Sequence, residues 1–334
     1  MKAAAAPSPL LEAQALRVEY RAARGLLARD RVIAVDDVGF SLDPGETLGL
    51  VGESGSGKST LARAILRLVP VAGGRVLWRG EDLLRWDRRL LREQRRGMQI
   101  VFQDPFASLD PRMTVVETIE EPLRIFEPAL GRRERHARVL GMLERVGLGA
   151  GAMHRYPHEF SGGQCQRIGI ARAMMSEPQL LVCDEPVSAL DVSIQGQIVN
   201  LLADLQRESR IALLFISHNL SVVRHLSHRV LVMYRGRLVE TATREALFAA
   251  PRHPYTRALL AAVPRLPRPG IDPFATPAPV AAALDAPAAP SVGGCAYRER
   301  CPFAAPICAA LAPALEPVEP DHAVACHRLE AQAP

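Results

Sequence analysis

Three groups of residues in this chain have types and spacings that do chemistry. Gly52-Glu53-Ser54-Gly55-Ser56-Gly57-Lys58-Ser59 matches the G-x-x-x-x-G-K-[ST] pattern in full. Its glycines let the backbone curl so that successive N–H groups face phosphate oxygens, and the following helix adds its positive dipole end. In that pattern Lys58 reaches the β- and γ-phosphates and Ser59 ligates Mg²⁺. Asp184-Glu185 closes the apolar run Leu180-Leu181-Val182-Cys183, which reads as a buried strand delivering both acids beside the phosphate loop. Paired acids there need a cation or an electropositive ligand, because charge is expensive to desolvate unpaired. Asp184 is thus placed to hold Mg²⁺, directly or through water, and Glu185 to activate an attacking water as general base. Ser161-Gly162-Gly163-Gln164 is a helix cap followed by two glycines, which leaves backbone N–H groups open to a second anion. Two of these groups also have a plain alternative, a Gly-rich turn for the first and a surface acidic turn for the second. His218, at the end of a further apolar strand, would by itself be read as structural.

The elements that must position these groups follow from the pattern around them. Strand-like segments run from Ala15 to Tyr20 and from Val32 to Leu42; Pro44-Gly45 turns into the buried strand Leu48–Val51. A helix over Ser59–Leu68 supplies the strand–loop–helix context. The pattern from about Glu81 to His154 is mostly helical, with breaks at Asp104-Pro105 and Glu121-Pro122. Ser161 caps a helix reaching about Met175. The strand Leu180–Cys183, the helix Ile194–Glu208 and the strand Ile211–Ser217 then alternate, predicting an α/β fold with a mainly parallel sheet covered by helices. Lys58 and Asp184 stand far enough apart for an inserted helical subdomain at about 105–177.

Residues 1–14 read as a disordered leader, 15–264 as the catalytic unit, 265–294 as an Ala/Pro linker and 295–328 as a Cys-rich tail. No run of about 18 apolar residues is present, and no signal peptide is evident, so a cytosolic location is expected. The net charge is +5. Its densest cluster, Arg85, Arg88, Arg89, Arg92, Arg95 and Arg96, has helical spacing with Asp87 and Glu93 among it. That reads as a solvated helical face, and the lack of interleaved aromatics counts against single-stranded nucleic acid.

The loop, the SGGQ tetrapeptide and the acidic pair, in that order, resemble the ATP-binding-cassette (ABC) family. The resemblance implies a P-loop NTPase fold with a RecA-like parallel core, an antiparallel β subdomain and the inserted helical subdomain. It also implies ATP and Mg²⁺ as ligands, with Gly52 to Thr60 on the phosphates. SGGQ would serve the γ-phosphate bound by an opposing cassette. Gln103, in Val101-Phe102-Gln103-Asp104-Pro105, resembles the family's Q-loop, which senses Mg²⁺ and water and faces the membrane subunits. Ser188-Ala189-Leu190-Asp191 resembles the D-loop that crosses the dimer interface, His218 the switch histidine that contacts the γ-phosphate, and Tyr20 the aromatic that stacks on adenine. A P-loop kinase would leave SGGQ and His218 unexplained.

Three local features resemble one branch, the ATPase subunits of oligopeptide/dipeptide importers: Val101 to Pro111, His253-Pro254-Tyr255-Thr256, and the cysteine tail. Glu185 to Ser193 resembles the second, F-type, of its paired ATPases. The implied partners are two membrane permeases, a sister ATPase and an extracytoplasmic solute-binding protein, with no nucleic acid. The implied place is the cytoplasmic face of the inner membrane. Nickel, glutathione or another small solute remains open as cargo, and a soluble ABC protein or a drug exporter as rivals. Cys295, Cys301, Cys308 and Cys326 lack a C-x-x-C pair; in a cytosolic tail they argue against disulfides and for a metal. Similar tails in the family are associated with a [4Fe–4S] cluster, while zinc, with His322 or His327 replacing a thiol, and free thiols stay open. Cys165 and Cys183 read as packing residues.

Overall fold

The computed structural model describes residues 8–24, 28–262 and 293–330. Its first unit is a long antiparallel pair, β1 (Leu11–Arg24) and β2 (Ala28–Leu42). Two short strands, β4 (Gly73–Trp78) and β5 (Glu81–Asp82), complete a four-stranded sheet of order β2-β1-β4-β5. The first strand begins at Leu11, not near residue 15, so residues 8–14 are no leader. Leu10, Leu11 and Ala13 are buried, which makes ordering this end favourable. Residues 1–7 and most of the expected linker lie outside the described residues.

The second sheet carries the chemistry. β3 (Thr47–Val51), β6 (Met98–Val101), β7 (Leu180–Asp184), β8 (Ala212–Ile216) and β9 (Arg229–Tyr234) run parallel in the order β9-β3-β8-β7-β6. Every residue of β3, β7 and β8 is buried, as expected for strands covered on both faces. Strand alternation divides them. Leu180, Val182, Leu214 and Ile216 face one core with helix α1 (Lys58–Ile65) and the antiparallel sheet. Leu181, Cys183, Leu213 and Phe215 face the other core, shared with the helices of the insert.

Among the described residues the insert's helices are α3 (Val115–Phe126), α4 (Arg132–Arg145) and α5 (Gly162–Met174); α2 (Arg88–Gln94) precedes them and buries none of its residues. That exposure agrees with a solvated arginine face. The expected break at Pro122 is absent. Helix α3 runs through it, losing one intrahelical bond, while a Thr114–Glu117 capping box secures its start and Val115, Ile119 and Leu123 are buried. Strand β6 was hidden in the helical pattern, since four residues are too few to show a period.

After β7 come α6 (Val192–Ser209) and α7 (Leu220–Leu226). β10 (Arg237–Thr243) turns back antiparallel to β9, and α8 (Arg244–Ala249) and α9 (Pro254–Ala261) follow. The tail holds a short helix, α10 (Pro306–Ala310), and a hairpin of β11 (Glu316–Glu319) and β12 (His322–Val324). β12 pairs with β10, so the tail extends the central sheet to eight strands. Among the described residues no helix is long and apolar enough to cross a membrane.

Candidate nucleotide-binding and hydrolysis site

The ends of parallel strands β3, β7 and β8 bring the sequence motifs together. Residues 52–57 link β3 to α1, and the loop requires glycine by geometry: Gly57 has φ +104°, and a Cβ there would stand 2.2 Å from the Ala34 carbonyl oxygen. Lys58 is buried, and its Nζ donates to the carbonyl oxygens of Gly52 (2.9 Å) and Glu53 (2.8 Å) and to Ser56 Oγ (3.4 Å). The Glu53 carbonyl also accepts the Ser56 N–H at 3.1 Å, closing the turn. Burial pulls the Lys58 ammonium below its usual pKa, against the opposing charges of Glu185, Asp184 and Glu53.

Beside the loop, Ser59 Oγ donates to Asp184 Oδ1 at 2.7 Å. Asp184 is buried, and burial raises its carboxyl above the usual range despite that hydrogen bond. Two hard oxygen donors side by side, one of them a buried carboxylate in need of a cation, fit Mg²⁺. Glu185 follows in left-handed backbone, φ +48°, its N–H held by the Ile216 carbonyl at 3.1 Å. A non-glycine residue held there stores strain, a common mark of a working site. Its carboxylate meets three of the candidate site residues: His218 Nδ1 at 3.3 Å, Gln103 Nε2 at 3.4 Å and Lys58 Nζ at 3.9 Å. Tyr20 Oη lies 3.4 Å from Thr60 Oγ1, which brings the expected adenine-side aromatic to the first turn of α1.

SGGQ has different neighbours. The Ser161 N–H donates to Gln164 Oε1 at 3.0 Å and the Gln164 N–H to Ser161 Oγ at 3.4 Å, a reciprocal cap that fixes the head of α5. A Cβ on Gly162 would sit 3.4 Å from Leu190 Cδ2, and one on Gly163 2.5 Å from Ile194 Cγ2. SGGQ therefore packs on the D-loop segment that contains Asp191, the N-cap of α6.

The comparisons agree with this geometry. The family profile described as "ABC transporter" matches residues 35–188, and "Oligopeptide/dipeptide transporter, C-terminal region" matches 239–308. The oligopeptide transport ATP-binding protein OppF of Salmonella typhimurium is 53% identical over 297 residues, covering 89% of this chain and 88% of that protein. The chain belongs to the ABC transporter ATP-binding proteins of the oligopeptide/dipeptide branch. A probable peptide ABC transporter ATP-binding protein of Sinorhizobium fredii is 50% identical, covering 89% of this chain and 82% of that protein. Among solved structures, the cassette MJ0796, a dimer in a post-hydrolysis state with ADP and phosphate, superposes with a TM-score of 0.64 at 28% identity. It covers 70% of this chain and 98% of that one. Like other members of this family the chain is an ATPase of the α/β cassette fold, a family for which ATP and Mg²⁺ are the typical ligands.

The tail departs from expectation. Burial raises the thiol pKa of Cys301, to about 11, and of Cys295; Cys301 also feels Cys326, Cys295 and Cys308, and Cys295 feels Cys308 and Cys326. Among the described residues, however, no three His, Cys, Asp or Glu side chains stand in metal-holding geometry. The expected cluster set is therefore not assembled among them; Cys326 Sγ accepts the Arg328 N–H at 3.4 Å, and the Cys295 N–H donates to the Cys308 carbonyl at 2.7 Å. His327 Nε2 meets the Leu311 carbonyl at 2.9 Å, and His322 Nε2 meets Glu240 Oε1 at 2.8 Å.

Sequence reasoning missed Glu240, Tyr255 and Arg300 as structural partners of this region. Glu240 is fully buried and accepts N–H bonds from Arg252 (2.7 Å) and His253 (2.9 Å) besides His322. Burial works to raise its pKa, but these bonds together hold it below the ordinary carboxylate value. The HPYT motif was a usable signal, since it places His253 and Tyr255 at the head of α9.

Proposed function

We propose that this chain is the ATP-hydrolysing half of a peptide importer and pairs cassette to cassette with a sister ATPase. Two permeases bind the pair at the cytoplasmic face of the membrane, and an extracytoplasmic binding protein delivers the peptide. The observation that carries the reading is the gathering of Lys58, Gln103 and His218 around Glu185, beside the Ser59–Asp184 pair. Relatives named for peptide transport and a tail of the same branch support the cargo class.

In this reading the loop N–H groups and Lys58 bind the β- and γ-phosphates, and Ser59 and Asp184 hold Mg²⁺. The bound ion would neutralise charge on the phosphate oxygens. Glu185 accepts a proton from the attacking water, whose oxygen bonds to the γ-phosphorus as the bond to the leaving β-phosphate oxygen breaks; ADP and phosphate are released. Gln103 and His218 orient that water and the γ-phosphate. SGGQ and Asp191 serve the nucleotide on the partner cassette, so closure of the dimer completes two sites and opening resets them.

Mass spectrometry of what copurifies with the tagged chain from mildly solubilised membranes tests the assignment. Two permeases with a sister ATPase are expected. Recovery only from the soluble fraction, with ribosomes or nucleic acid, overturns the transport role.

A further inference from the structure

The tail reaches the phosphate loop itself. Arg300 Nη1 donates to both carboxylate oxygens of Glu53, at 3.1 and 2.9 Å, across 247 positions of sequence. The Arg300 side chain is only 11% exposed. From the other side, the Glu53 N–H donates to Tyr255 Oη at 2.8 Å. Tyr255 is fully buried and packs against Tyr234 (centroids 4.6 Å) and the tail's Tyr297 (5.4 Å). Tyr297 meets Tyr234 edge-on at 5.2 Å. Three aromatic rings and one guanidinium thus back a single loop residue.

We propose that the Cys-rich tail braces the phosphate loop, with Arg300 and Tyr255 as positioning residues that hold Glu53 for nucleotide binding. The inference rests on the reading of residues 52–59 as the ATP site. The Glu53 carbonyl is the acceptor for both Lys58 Nζ and the Ser56 N–H. Its position therefore sets the turn whose N–H groups and lysine must meet the phosphates. Fixing that turn before ATP arrives removes ordering that binding would otherwise have to supply.

A rival role for Arg300 is to fasten the tail to the cassette. That role is already filled by the pairing of β12 with β10 and by the buried Glu240–His322 contact. Arg300 lies instead at the end of a turn closed by the Tyr297 carbonyl, next to Cys301, so the tail's cysteine loop sets where the guanidinium sits. An exposed single ion pair would contribute little, whereas a largely buried guanidinium whose Nη1 is shared between both carboxylate oxygens is held more firmly.

The test is equilibrium titration of the full-length chain with a fluorescent ATP analogue and Mg²⁺, alongside KM and kcat for ATP. Arg300→Ala and Glu53→Gln should each weaken binding about fivefold to tenfold and raise KM while kcat at saturation stays near the parent value. The double variant should bind no worse than the weaker single, and Arg300→Lys should recover part of the loss. Glu299→Ala, a charge removed from the same tail turn, should bind as the parent does. Should Arg300→Ala loosen the tail by limited proteolysis, Tyr255→Phe decides: it leaves the tail's own contacts intact and orphans the Glu53 N–H, and unchanged affinity overturns the brace. Parental binding by Arg300→Ala overturns it too, provided Lys58→Ala loses binding. Parental binding by Lys58→Ala would reject the ATP reading of the loop itself.

Discussion

The Glu185 carboxylate lies 3.3 Å from His218 Nδ1, joining the end of β7 to the end of β8. The contact exists because β7 and β8 are parallel neighbours in register, Asp184 opposite Ile216, so the residues following each strand emerge together. Gln103, just past β6, reaches the same carboxylate because β6 is the next strand over. A sheet built in this order delivers three chain-distant side chains to one point without any long loop.

From that geometry Glu185→Gln keeps the shape and the hydrogen bonds but removes the base. ATP affinity should persist while steady-state turnover falls at least about 10²-fold. ATP should then trap the closed pair of cassettes, visible as a larger species by light scattering. Turnover within a few-fold of the parent would rule out the base assignment.

Asp184→Asn separates stability from function. The buried Asp184 carboxylate is costly to ionise without a cation, as its raised pKa shows. An amide can still accept the Ser59 hydroxyl and carries no charge. The nucleotide-free variant should therefore melt at a higher temperature than the parent, while Mg²⁺-ATP no longer raises its midpoint. A lower midpoint in the absence of nucleotide would contradict this account of the site.

Acid stability should be governed in part by His253. Burial lowers its pKa from 6.5 to about 4, and its Nδ1 accepts the Tyr255 N–H at 3.1 Å, a bond only the neutral ring can make. Between those values the unfolded chain takes up a proton that the folded chain refuses. Stability is thus complete above about pH 6.5 and declines as pH falls toward 4, a window worth roughly 3 kcal/mol. Glu240, held below its ordinary value, acts in the same direction on acidification. His253→Asn keeps an acceptor for Tyr255 and removes the titration, so its thermal midpoint should fall less steeply from pH 7 to 4.5. Parallel profiles would exclude His253 as the cause.

What the sequence disclosed follows the range of each interaction. Lys58, Ser59, Asp184 and Glu185 were readable because their chemistry demands fixed residue types beside apolar strands. Ser161 was readable because its cap partner, Gln164, is three residues away. The tail hairpin was not, since all four residues of β11 are exposed and show no apolar alternation; only its backbone pairing makes it a strand. Glu53, inside the motif, gave no sign that its side chain would be claimed by Arg300, because no local period encodes a contact across 247 positions. Burial of Glu240 was likewise unforeseen, for the donors that compensate it come from β12 and the start of α9.

Those donors lead to the last expectation, that His322 keeps the tail on the sheet. His322 is almost fully buried, and its Nε2 stands 2.8 Å from Glu240 Oε1. His322→Ala leaves Glu240 with its two backbone donors but without the imidazole, inside a buried site. Removing a hydrogen-bond donor from a buried acceptor costs about 1–3 kcal/mol, because the group stays desolvated. The Arg252–Glu319 ion pair, exposed at the hairpin's edge, is too weak to offset that loss. Limited proteolysis should therefore cut His322→Ala within residues 311–330 much faster than the parent, ahead of any cleavage in the cassette. Replacing both partners, Glu240→Gln with His322→Ala, should restore part of the protection, since no unpaired charge is then left inside. Equal cleavage rates in parent and His322→Ala would mean that the backbone pairing of β12 with β10 holds the tail unaided.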